Sequence, residues 1–269
     1  MSTSSLPPAP PLPPRGDLRR RVLAGEPTIG AFINLGSAAS AELVARAGYD
    51  WLIVDLEHGM GSISELHAQL LAIQGTPTAA IVRVPSVERL RIDRALDLGA
   101  DGIMLPQVGS ADEARSGVSW LRYPPGGVRG VALVTRGAGF GERSHAEVAN
   151  LVNPAILGVF QVESLAAVEA ADEAAAIDGV DVLFVGPADL SHAMGIPGQI
   201  EHPAFLAALD RVVGACRASG KSAGILLGDG AATAAARARG FTFIGVGSDV
   251  SFVLAGARRQ LADARAALG

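Results

Sequence analysis

Three polar groups close the otherwise apolar run WLIVDLEHGM at 51–60: Asp55, Glu57 and His58. A carboxylate near an imidazole fixes its tautomer and raises its basicity, as a general base requires. His58 with Asp55 therefore reads as a proton-transfer pair, with Glu57 in support; a histidine bonded only locally at a strand end is the alternative. Arg83 stands inside the apolar stretch AAIVRVP. A buried guanidinium needs an anionic partner, either a protein carboxylate such as Glu57 or Glu163 or a substrate oxyanion.

Glu163 and Asp189 each follow a short apolar run, in QVES and GPADLS. If they converge, two carboxylates with room for water and a bidentate substrate suit a hard divalent ion such as Mg²⁺ or Mn²⁺. A helix cap at Glu163 and a turn at Asp189 are the structural alternatives. Zinc of the HExxH or paired-cysteine type does not fit, because DLEHG has no second histidine at helical spacing. Of the other histidines, His67, His145 and His202 read as structural, and His192, after PADLS, is placed where it could reach substrate, with a structural role as the alternative. Gln107 and Gln161 are further polar groups at the ends of apolar runs.

These groups need a scaffold that presents many strand ends on one face. Eight short apolar runs, at 28–36, 51–57, 79–84, 102–106, 156–163, 182–186, 222–227 and 241–247, alternate with Ala- and Leu-rich segments of helical period. Strands that are apolar along their whole length are buried on both faces, as in a parallel sheet covered by helices. Eight such alternations predict a (β/α)₈ TIM barrel, whose active residues lie at the C-terminal ends of the strands. A doubly wound open sheet is the other possibility, but no GxGxxG follows the first strand, and no nucleotide is expected. Helices are expected at 40–48, 63–74, 87–99, 164–177, 202–220, 230–240 and 251–268, with Ser40 and Ser164 as caps. Residues 122–155 form one long connection with a glycine-rich start.

The 269 residues suffice for a single barrel over 15–269 preceded by a disordered, proline-rich tail over 1–14. A net charge of −5, with one short arginine cluster at 19–21, argues against a nucleic-acid face. The tail lacks the apolar segment of a signal peptide, so neither membrane nor export is expected. The lone cysteine, Cys216, suits a helix interior and a reducing cytoplasm.

Lysine is nearly absent: Lys221 is the only one, against 21 arginines.

The blocks DLEHG, VRV, RYPPGGVRG, QVES, GPADLSHAMGIPGQ and GFTFIGVGSDV resemble the motifs of the HpcH/HpaI aldolases, metal-dependent pyruvate aldolases of the phosphoenolpyruvate/pyruvate superfamily. The resemblance spans about 17–268. It implies a metal (Mg²⁺, Mn²⁺ or Co²⁺) held by Glu163 and Asp189, with His58 and Asp55 moving protons. Arg83 would then approach the ketone oxygen of pyruvate, with Gln161, Ala188, Asp189 and Leu227 as substrate contacts. The implied reaction makes or breaks the bond between a pyruvate enolate and an aldehyde, on a 4-hydroxy-2-oxo acid. A citrate-synthase-like condensing enzyme of the same fold is the alternative. A Schiff-base route needs a lysine at the reacting carbon, and Lys221 precedes the seventh strand, at the wrong rim. The resemblance also implies a homo-oligomer, hexamer or trimer, in which the last helix packs on a neighbouring barrel; packing within one chain is the alternative. Two departures from the family pattern are the absence of an acid in GMGSIS, the six residues between His58 and Glu65, and the extra tail.

Overall fold

The computed structural model describes residues 16–268, so the tail expected over 1–14 lies outside the described residues. Eight parallel strands close into a barrel in sequence order. They are β1 (Thr28–Ile33), β2 (Trp51–Asp55), β3 (Ala79–Arg83), β4 (Gly102–Leu105), β5 (Leu157–Val162), β6 (Val182–Val185), β7 (Ser222–Leu227) and β8 (Phe243–Ser248). The near-continuous apolar runs are explained by burial on two sides: inward against the barrel axis, outward against the helices.

The barrel axis is filled by Phe32, Trp51, Ile53, Ile81, Met104, Leu157, Val159, Val182, Phe184 and Phe243. Trp51 stacks on Phe243 with ring centroids 4.0 Å apart and donates its indole N–H to Thr28 Oγ1 at 3.2 Å. Glycine at position 30 is required by this arrangement, since a Cβ there would lie 2.0 Å from the Trp51 ring.

Helix α1 (Asp17–Leu23) covers the N-terminal rim: its Leu18 and Val22 join the axial core, and Ser222 Oγ donates to the Val22 carbonyl. Arg19, from the basic cluster, grips buried Asp181 through two hydrogen bonds of 2.8 and 2.9 Å. The outer helices are α2 (Ala38–Arg46), α3 (Ile63–Ile73), α4 (Arg89–Asp97), α5 (Ala111–Leu121), α6 (His145–Val152), α7 (Leu165–Glu169), α8 (Ala171–Ala175), α9 (Pro187–Ala193), α10 (Pro203–Ala218), α11 (Thr233–Arg239) and α12 (Asp249–Leu268).

Several boundaries differ from the sequence reading. Ser37, not Ser40, caps α2; Ser40 sits inside the helix and donates its hydroxyl to Asp249. The helix expected over 164–177 is two short ones that meet at Ala170. The long connection at 122–155 contains a 3₁₀ turn (Arg136–Ala138) and α6, which carries a Ser144–Glu147 capping box. Of the histidines read as structural, His67 lies in α3, His145 opens α6 and His202 caps α10. Cys216 is buried in α10, and burial pushes its thiol up to about 12.

Helix α12 is anchored only at its root. Asp249 is buried and accepts from the Asn34 N–H and the Ser40 hydroxyl, and Phe252 stacks on Tyr49. Beyond that, Val253, Leu254 and Leu261 are exposed. Among the described residues no helix is long and apolar enough to cross a membrane.

Candidate active site

The turn after β2 is shaped by its own sequence. A Cβ at Gly59 would lie 2.0 Å from the Asp55 carbonyl oxygen, so DLEHG can fold back tightly only with glycine in its last position. The Met60 N–H then donates to the Asn34 carbonyl at 2.7 Å, tying the turn to β1.

Asp55 is 1% exposed. It accepts from Arg83 Nε at 2.8 Å and Nη2 at 2.6 Å, from Asn34 Nδ2 at 2.6 Å, and from the backbone N–H groups of Glu57 and His58. Burial pushes its carboxyl upward, but the Arg83 bonds and charge, with the two backbone donors, hold it below the ordinary value. The expected pairing of Asp55 with the His58 ring is not formed, because both carboxylate oxygens are already taken. The imidazole is 65% exposed and has Glu57 Oε2 at 3.9 Å from Nε2. Glu57, expected in a supporting role, also reaches Arg83 Nη1 at 3.1 Å.

Arg83 thus has the protein partners its burial demands, and Phe32 lies under its guanidinium at 5.2 Å. A guanidinium carries five N–H groups. Nε and Nη2 each spend one on Asp55, while Nη1 lies 3.1 Å from Glu57 Oε2 as an ion pair without a hydrogen bond, so three N–H groups are not spent on Asp55.

Across the mouth, Glu163 extends from β5 and Asp189 from the first turn of α9, where Pro187 starts the helix after Gly186. A Cβ placed on Gly186 would lie 3.1 Å from Glu163 Oε1 and 3.5 Å from Asp189 Oδ2. The carboxylates therefore converge on one point that glycine keeps open. Glu163 is oriented by Gln161 Nε2, which donates to Oε1, and by the Gln107 N–H at 3.3 Å from Oε2. Burial, then repulsion from Asp189 and Glu57, raises Glu163 to about 7. Gln161 is 3% exposed and its Oε1 has no hydrogen-bond partner, an acceptor left for a bound molecule. Two crowded oxygen anions beside open space fit a hard divalent cation; the described residues bring no third histidine, cysteine or carboxylate into that group.

Phe32, Asn34, His58, Arg83, Gln161, Phe184, Ala188, Asp189 and Leu227 are among the residues that line a cavity of about 500 Å³. Every residue expected to touch substrate therefore borders one space. A smaller cavity, about 280 Å³, opens at the opposite rim among Asp17, Arg21, Thr76 and Thr78, away from these groups. Lys221 is also at that end, directly before β7. His192 is exposed and bonds the Ala188 carbonyl, outside the cavity lining.

A family model for HpcH/HpaI aldolase/citrate lyase matches residues 28–255, almost the whole barrel. The chain belongs to the HpcH/HpaI aldolase/citrate lyase family. Among its HpcH/HpaI relatives, the hydroxypyruvate/pyruvate aldolase of Paraburkholderia phytofirmans is 39% identical over 92% of this chain and 97% of its own. The 4-hydroxy-2-oxo-heptane-1,7-dioate aldolase of Salmonella typhimurium is 38% identical over 87% of this chain and 89% of its own. The crystal structure of an HpcH/HpaI family protein from Burkholderia cenocepacia superposes with a TM-score of 0.88 at 39% identity, covering 93% of this chain and 99% of the other.

Asn34, Gln107, Phe32 and Phe184 were not singled out as site residues by sequence reasoning. Gln107 stood among the strand ends without a role. Asn34 could have been found by the same signal, a polar residue directly after an apolar strand; the two phenylalanines carry none, being indistinguishable from core.

Proposed function

We propose that this HpcH/HpaI chain is a divalent-metal-dependent aldolase that forms or cleaves the bond between C3 of pyruvate, or a close 2-oxo acid, and the carbonyl carbon of an aldehyde. Its substrate in the cleavage direction is a 4-hydroxy-2-oxo acid. The names of the two relatives support the reaction class, and one observation carries the site: Asp189 lines the cavity with Arg83 and His58, and Glu163 reaches its edge beside Gly186, another lining residue.

A cation held by Glu163 and Asp189, whether Mg²⁺, Mn²⁺ or Co²⁺, supplies Lewis acidity at the 2-oxo group. Arg83 offers N–H groups not spent on Asp55 to the oxygen where negative charge develops, with the two Asp55 bonds and the Glu57 charge fixing the guanidinium. Gln161 holds Glu163 in place and offers its free Oε1 to a donor on the substrate. His58, at the solvent side, takes the proton from the C4 hydroxyl, directly or through water. The C3–C4 bond then breaks, its electron pair moves toward the 2-oxo oxygen, the aldehyde leaves, and C3 of the resulting enolate takes up a proton to give pyruvate; synthesis removes a C3 proton from pyruvate and returns a proton to the new hydroxyl. Asp55 contributes by holding Arg83 and the His58 backbone, not by contact with the ring.

The exposed apolar side chains of α12 support a homo-oligomer, hexamer or trimer, in which this helix covers a neighbouring barrel. A cytoplasmic location suits a chain with one buried thiol.

The test is exchange of the pyruvate C3 protons with deuterated water, followed by NMR. EDTA abolishes exchange and Mn²⁺ restores it; full exchange without metal overturns the metal assignment. An aldehyde panel with pyruvate, including oxaloacetate as an acceptor, then separates aldolase from citrate-type condensation.

A further inference from the structure

We infer that Gln107 is a positioning residue whose left-handed backbone aims one donor at Glu163 while its side chain steadies Glu57. The inference rests on the reading of Glu163 as a metal ligand.

Gln107 directly follows Pro106 at the end of β4 and has φ 53°. Phe140 is the other non-glycine with positive φ among the described residues, and it lies in the long loop away from the site. Left-handed backbone places a Cβ too close to the following carbonyl, so a glutamine there persists only where its surroundings compensate. Two bonds do so. The Gln107 N–H donates to Glu163 Oε2 at 3.3 Å, and Nε2 donates to Glu57 Oε1 at 3.2 Å. Both acceptors are carboxylates, so both bonds are charge-assisted.

The consequence is a bridge between the two halves of the site. Glu57 ion-pairs with Arg83, the residue placed at the developing oxyanion, and Glu163 is half of the carboxylate pair opposite. Gln161 grips one oxygen of Glu163 and Gln107 the other, so the carboxylate cannot rotate without losing a donor. The side-chain bond to Glu57 balances the strain that the backbone bond to Glu163 requires. Glycine needs no such compensation, because it adopts positive φ freely.

That asymmetry gives the test, made on the full chain with Mn²⁺ binding by titration calorimetry, steady-state kinetics and circular dichroism as the fold control. Gln107→Gly keeps the left-handed N–H and retains Mn²⁺ affinity within about twofold. Gln107→Ala and Gln107→Met keep the strain and lose its compensation, so their backbones relax and Mn²⁺ affinity falls about fivefold. All three lose kcat by about fivefold through Glu57, with KM for the 2-oxo acid little changed. A purely structural Gln107 would not separate Gly from Ala in metal affinity, so equal Mn²⁺ affinity in those two variants overturns the backbone role. Wild-type kcat in Gln107→Met overturns the side-chain role. A wild-type protein that binds no Mn²⁺ removes the metal reading itself, and this role with it.

Discussion

Asp55 and Arg83 are register partners on neighbouring strands, and their side chains close a two-point ion pair of 2.8 and 2.6 Å at the rim of the barrel. Because the strands fix the two Cα positions, the pair is set by the sheet and needs no substrate to assemble. Arg83 is held above its ordinary pKa: burial works against its charge, but the bonds and charges of Asp55, Glu57 and Glu163 outweigh burial.

Asp55→Asn replaces one acceptor oxygen by a second donor facing Arg83. Breaking a buried pair by removing one partner costs about 3 kcal/mol. Urea unfolding should show a loss of this size, and kcat should fall at least about tenfold as Arg83 loses its aim. Wild-type kcat in a folded Asp55→Asn protein would show that the pair serves stability alone.

Metal binding should compete with a proton. Glu163 sits at about 7 without a cation, and a ligating carboxylate must be ionised, so affinity for Mn²⁺ should weaken by up to about tenfold per pH unit below that value and level off above it. The same shift has a sign for stability. The folded, metal-free chain holds this proton up to about 7, whereas an exposed glutamate releases it near 4.5, so Glu163 makes metal-free stability fall as pH rises through that window. Added Mn²⁺ should reverse the trend, and calorimetric titration with melting curves at several pH values checks both.

Gly186→Ala puts a methyl group 3.1 Å from Glu163 Oε1. Affinity for Mn²⁺ should fall by about tenfold while the circular dichroism spectrum stays that of the wild type. An unchanged dissociation constant would place the cation elsewhere.

Removal of residues 255–268 should lower the oligomer mass in solution, measured by light scattering, without unfolding the barrel, since Leu261 and Leu268 are exposed on their own chain. A truncated chain that keeps the wild-type mass would assign assembly to another surface.

The barrel and most of its polar rim were legible in the sequence because a strand buried on both faces leaves an apolar run, and its catalytic end is marked where that run stops. Asp55, Arg83, Glu163 and Asp189 stand out by that contrast. The partner of Asp55 was not legible. Asp55 is close to His58 in sequence, yet the nearest strand carries Arg83 directly opposite, and cross-strand register outranks sequence proximity. The strain at Gln107 was equally hidden, because glutamine is not a residue whose presence signals a left-handed turn.

Beneath the site, Phe32 and Phe184 pass into Phe243 and Trp51, an aromatic column that runs down the axis. The chamber is therefore a well with a stone floor. A molecule in such a well finds packed rings below it and the strand ends around it, so the polar groups of the rim are the ones it meets.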